Sequence, residues 1–204
     1  MAPFAIRTYG DPVLRQRAAD VDEIDGRLAQ LAAQMIETMY EAPGVGLAAP
    51  QVGVRKRLFV YDTGDGEGAR AMVNPTITES GGEWTYEEGC LSVPGLSWPI
   101  VRPRDVHITG WDLDGNEVSL EVTEFEARVF QHEVDHLDGV LLVERLDPDQ
   151  RKDALRILRA RAVDLRSGDP DGLGSLLVDD RDGVPAGRVR DGVPDRGVGG
   201  VPGR

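Results

Sequence analysis

The segment Gln131-His132-Glu133-Val134-Asp135-His136 constrains this chain more than any other part of it. Phe125, Val129, Phe130, Val134 and Leu137 surround it at helical spacing, so a helix over Glu124 to Leu137 carries apolar side chains around much of its circumference and has to be buried. Thr123 is placed to cap that helix, with Glu126 three residues later completing a capping box, and Gly139 closes it. His132 and His136 then fall four residues apart on one face, where two ring nitrogens can converge on one ion. Burying two imidazoles and a carboxylate without partners is costly, and a metal ion satisfies the imidazoles directly. The 3.6-residue period turns Glu133 by about 100° from His132. It need not be a ligand and is free to handle protons.

The elements around this helix are mixed. Leu28, Leu31, Ala32, Met35 and Met39 form one apolar stripe over Arg27 to Glu41, a helix that ends at Ala42-Pro43-Gly44. The stretch Gly44 to Gly53 is expected to be loop or extended chain, because Pro50 disfavours helical geometry at Ala49. Leu58 to Asp62, Met72 to Thr78 and Val106 to Trp111 are rich in β-branched or aromatic residues and read as strands. Asp114-Gly115 suits a tight turn into a further strand at Glu117 to Val122. After the buried helix, Val140 to Val143 reads as a short strand and Pro148 opens a third helix reaching Arg166. The expected class is α+β, with small antiparallel or mixed sheets packed around a central buried metal-binding helix.

Residues 1–166 are expected to form one catalytic domain. From 167 to 204, Gly, Pro, Asp and Arg dominate, and Asp-Gly-Val-Pro occurs at Asp182 to Pro185 and again at Asp191 to Pro194. Such a tail cannot build a core and is expected to be disordered. The net charge of −13 argues against nonspecific nucleic-acid binding by the surface as a whole, DNA included. The 148–166 helix is the local exception, since Arg151, Lys152, Arg156, Arg159, Arg161 and Arg166 outnumber Asp149, Asp153 and Asp164. No apolar run is long enough to span a bilayer. The N-terminal residues resemble neither a secretory signal nor a transit peptide, so a cytoplasmic location is expected.

A catalytic metal site needs a third protein ligand. Cys90, the single cysteine, is the best candidate, because a thiolate is a strong ligand for iron or zinc and Gly89 lets the backbone pass close to another element. Glu144 and Asp147, downstream of the helix, are competitors, as in zinc proteases that complete the motif with a later carboxylate. His107 reads as a sheet residue. At this level a metallopeptidase and a noncatalytic binding module both remain open.

Gly44-Val45-Gly46-Leu47-Ala48-Ala49-Pro50-Gln51, Glu88-Gly89-Cys90-Leu91-Ser92 and His132-Glu133-Val134-Asp135-His136 resemble the three signature motifs of bacterial peptide deformylases, in the same order. The resemblance runs from about Phe4 to Arg166. It implies that Cys90, His132 and His136 bind one divalent metal ion, Fe²⁺ by preference, with Zn²⁺, Ni²⁺ or Co²⁺ able to substitute. It implies hydrolytic release of formate from formyl-methionyl nascent peptides, with Glu133 as the proton carrier. Gln51 and the backbone N–H of Leu91 would stabilise the oxyanion, the backbone of Val45, Gly46 and Gly89 would pair with substrate, and Val45 and Val129 would line a methionine pocket. Glu88, Asp135 and Arg104 are expected to form a supporting ion-pair network. By the same resemblance the basic 148–166 helix would make a transient ribosome contact.

Overall fold

The computed structural model describes residues 3–167, so the 168–204 tail lies outside the described residues. Helix α1 (Gly26–Glu41) is followed by strands β1 (Gly46–Ala48), β2 (Leu58–Tyr61), β3 (Arg70–Gly81), β4 (Trp84–Gly89), β5 (Ser97–Arg102), β6 (Asp105–Trp111) and β7 (Glu117–Thr123). Helices α2 (Glu124–Leu137) and α3 (Pro148–Ser167) complete the order. One antiparallel sheet has the strand order β1-β2-β3-β6-β7, and β4 and β5 form a separate hairpin. This is the α+β architecture the sequence implies.

Alternation along β2 explains the layering. Leu58 and Val60 face α1 and pack with Leu28, Ala32, Met35 and Met39. Phe59 and Tyr61 face α2, where both rings contact Phe130, the second edge-on at 4.7 Å between centroids. All four residues of β2 are buried because the sheet lies between two helices. Two bulges interrupt the pairing of β3 with β6. Beside the first, Asn74 adopts a positive φ of 50° and bonds both the N–H and the carbonyl of Val21, an arrangement that suits a short amide side chain.

Strand β7 runs into α2 with no intervening loop. Glu124 turns the chain at a φ of 51°, and its N–H donates to the Arg104 carbonyl. Thr123 does not cap the helix with its side chain: its hydroxyl donates to Asp105 instead, and the first turn carries the acidic Glu124 and Glu126 that favour the positive helix end. Gly139 does close α2, at a φ of 76°, where a Cβ would press on the Arg15 backbone. The expected strand at Val140 to Val143 is not formed. That segment is irregular chain leading into a 3-10 turn at Leu142–Glu144, and its apolar side chains join a third cluster with Leu14, Val93, Ile100, Ala154 and Leu158. The hairpin β4-β5 was not anticipated.

A buried ionic network joins the hairpin to α2. Glu88 of β4 accepts from Arg102 of β5 through two nitrogens, at 2.9 and 2.7 Å, and from Arg128 of α2 at 2.7 Å. Arg102 also donates to Asp135 of α2 at 2.8 Å, and Arg145 closes on the other side of that carboxylate. Arg102 is the centre of the expected network; Arg104 is not part of it. Arg104 lies beyond Pro103 at the strand end, exposed, and pairs with its neighbour Asp105.

Arg102→Met therefore leaves two buried carboxylates short of a cation, and is expected to cost about 3–5 kcal/mol in urea unfolding. Arg104→Ala should leave the unfolding midpoint unchanged; equal effects of the two substitutions would contradict this assignment.

Candidate metal centre and active site

Three segments deliver the polar residues to one place. The last turns of α2 present His132 and His136, the chain leaving β4 presents Cys90, and a short 3-10 turn after β1 presents Gln51. Cys90 Sγ lies 3.2 Å from His136 Nε2, which lies 3.2 Å from His132 Nε2. One ligand atom from each of the three residues lies within 4.8 Å of the others. Two ring nitrogens at that separation can share at most one proton between them, whereas a cation accepts a lone pair from each. The donor set of one sulfur and two nitrogens thus fits a divalent metal.

The electrostatics agree. Burial opposes ionisation of Cys90, but the two imidazoles outweigh it and hold the thiol well below its ordinary range. Burial likewise disfavours a charged His132, while Cys90 and Glu88 raise its proton affinity well above the usual imidazole value. Glu88 Oε1 accepts from His132 Nδ1 at 2.6 Å, which turns Nε2 toward Cys90 and His136. Glu88 is itself opposed by burial, yet its bonds from His132 and Arg102 keep the carboxyl far below the usual carboxylate range.

Glu133 lies beside the three donors, 3% exposed, with Oε2 making no hydrogen bond among the described residues. Burial is the main cause that pushes its carboxyl up to about 7. Gln51 is held rigidly. Its Oε1 accepts from the Ala48 N–H at 2.8 Å, and its Nε2 faces Ser92 Oγ at 3.2 Å and Cys90 Sγ at 3.9 Å. The Ser92 N–H points at the same sulfur from 3.4 Å.

A cavity of about 690 Å³ opens over these residues. Val45, Gly46, Gly89, Leu91 and Val129 all line it, so every site residue expected from the sequence falls in or beside one cleft. Val45 is 42% exposed at the rim and Val129 is buried in the wall. The carboxylates competing with Cys90 as third ligand lie elsewhere, and His107 is a sheet residue, as the sequence implies. Glu144 accepts from Arg15 and from the Leu141 N–H, Asp147 caps α3 through the N–H groups of Asp149 and Gln150, and His107 sits between Thr78 and Ser119 on the sheet.

Sequence reasoning missed the aromatic wall of the cleft. Tyr86 and Phe125 line it and meet edge-on, Trp84 outside the lining stacks on Tyr86 at 4.7 Å, and Arg128 lies over both Trp84 and Tyr86. Ser92 was also missed. It closes the second signature motif, two residues after Cys90, where its N–H can return to the sulfur.

The comparisons with known proteins agree with this geometry. The family model described as polypeptide deformylase matches residues 3–152. A peptide deformylase from Acidothermus cellulolyticus is 50% identical over 159 residues, covering 78% of this chain and 87% of that protein. One from Halothermothrix orenii is 49% identical over 146 residues, 72% of this chain and 95% of that protein. The crystal structure of a peptide deformylase from Legionella pneumophila superposes with a TM-score of 0.75 at 40% identity, covering 83% of this chain and all of that one. A sulfur and two imidazoles gathered beneath such a cleft, on a fold and a sequence shared to this extent, place the chain in the peptide deformylase family, the metal-dependent hydrolases that remove the N-formyl group from new polypeptides.

Proposed function

We propose that Cys90, His132 and His136 hold one Fe²⁺, replaceable by Zn²⁺, Ni²⁺ or Co²⁺, and that Glu133, Gln51 and Leu91 carry out the chemistry around it. The observation that supports this reading most directly is the convergence of Sγ and two Nε2 atoms beside the buried Glu133 carboxylate, whose Oε2 makes no hydrogen bond among the described residues. When bound, such an ion polarises a carbonyl and acidifies water.

The chain's own residues then divide the work. Hydrolysis of formylmethionine adds water across the formyl C–N bond, releasing formate and a free amine. Glu133 takes a proton from the attacking water and returns it to the departing nitrogen, so the carboxylate is regenerated. A carboxyl group pushed up to about 7 is poised to do both near neutrality. As the formyl oxygen gains negative charge, Gln51 Nε2 and the Leu91 N–H donate to it; the bond from Ala48 to Gln51 Oε1 fixes the amide with its nitrogen toward the cleft. Val45, Gly46 and Gly89 offer backbone groups at the cleft edge to an extended peptide, and Val129 forms part of the wall for the methionine side chain.

The substrate is thus the formyl-methionyl end of a nascent peptide. Transient ribosome contact through the 148–166 helix belongs to the same proposal. It is supported by the exposed Arg151, Lys152 and Arg159 beside the partly apolar groove around Leu155. No helix among the described residues is long and apolar enough to cross a membrane. We place the protein in the cytoplasm, where its substrate is made.

Glu133→Ala should lower kcat for formyl-Met-Ala by about 10²–10⁴-fold while metal content stays near one equivalent, and near-normal turnover would remove Glu133 from this role. Cys90→Ser is expected to lose metal on dialysis and, in the cobalt-substituted protein, to lose the thiolate-to-metal absorption band. Cosedimentation with ribosomes should fall steeply as salt rises. No cosedimentation at low salt would refute the docking role of α3.

A further inference from the structure

The backbone does not explain the glycine at position 46. Gly46 lies in β1, paired with Tyr61, and does not adopt the positive φ that favours glycine. Any residue could adopt that conformation. Its proposed pairing with substrate uses only backbone N–H and C=O groups, which alanine would keep. The side-chain direction gives the reason. A Cβ on Gly46 would lie 2.9 Å from Glu133 Cδ, 3.1 Å from its Cγ and nearer still to Oε1.

We infer that Gly46 is a positioning residue for the proton-transfer step: the space left by its missing side chain is the space in which the Glu133 carboxylate lies. The inference rests on the role proposed for Glu133. The three nearest atoms all belong to that one side chain. An added methyl therefore acts on the carboxylate rather than on the strand. An added methyl would occupy the place where the carboxylate now lies, so the displaced group has to turn toward the cleft that opens over it and cannot return to its place beside the donors. The contrast with Gly44 is informative. A Cβ there would meet the Leu91 Cδ1 methyl at 2.8 Å, an apolar end that can rotate away.

Gly46→Ala is expected to fold, to bind its full metal complement by elemental analysis and to keep KM for formyl-Met-Ala within about threefold, while kcat falls about 10²-fold. Glu133→Ala removes the carboxylate altogether, so adding Gly46→Ala in that background should change the residual kcat by no more than about threefold. Unchanged kcat in the single variant overturns the proposal, and so does an equal loss in both backgrounds, which would mark a general packing defect. A crystal structure of metal-loaded Gly46→Ala reads the carboxylate position without reference to turnover: displacement supports the inference, and an undisturbed carboxylate refutes it. If Glu133→Ala itself proves active, the catalytic reading of Glu133 fails, yet that structure still decides whether Gly46 sets its position. Should Gly46→Ala not fold, the Gly46→Ala/Glu133→Ala double variant, which lacks the clash, is expected to fold and bind metal. Failure of the double variant as well would place the conflict elsewhere and reject the proposal.

Discussion

The buried carboxylate of Glu88 is the constraint on which the arrangement of the site depends. It meets Arg102, Arg128 and His132 at once, and is 5% exposed. A charge that far from water persists only when it is paired, and here the pairing partners come from the other hairpin strand and from α2. The same contacts that neutralise Glu88 therefore fasten the hairpin to the helix. Cys90 follows Glu88 by two residues, so fastening the hairpin also sets where the sulfur lies relative to the two imidazoles. One carboxylate links the hairpin's attachment to the orientation of the His132 ring.

The site residues combine rigidity from different sources. Gln51 is fixed by a local bond to Ala48, His132 by Glu88, and Cys90 by the Ser92 N–H. Glu133 is the exception, held by packing and lacking a partner for one oxygen. The proton-transfer role proposed for Glu133 is better served by that freedom than by a permanent hydrogen bond, which would favour one protonation state.

Much of the fold and the polar residues gathered in the cleft were legible in the sequence, for reasons that differ between residues. His132 and His136 are local: helical periodicity alone puts them together, and the apolar residues around them announce burial. α1 carries clean periodicity because it packs one face on a large core, and β2 reads as a strand from an unbroken run of apolar and aromatic residues because both of its faces are buried. Cys90 could be separated from Glu144 and Asp147 as a ligand only through the motif resemblance, since a partner so distant along the chain is chosen by topology and not by spacing. The hairpin escaped notice because its strands are short and mostly exposed on one face, and because Pro99 interrupts β5 at a position that an edge strand tolerates. Without that hairpin, nothing distinguished Arg102 from Arg104. Val140 to Val143 misled for the converse reason: β-branched residues favour strands only where a sheet edge is available, and here an apolar cluster of helix and loop residues was waiting instead.

The direct passage from β7 into α2 has a consequence for how much variation the chain can absorb. A loop would act as a joint, letting the helix keep its orientation when residues are gained or lost on the strand side. Without one, the roll of the helix about its own axis is set by the pleat of the sheet, and a single extra residue at the junction would turn it by about 100°. Both imidazoles would then leave the cleft together, so the length of the segment between Asp105 and His132 is as much a part of the proposed metal site as the three side chains proposed to form it.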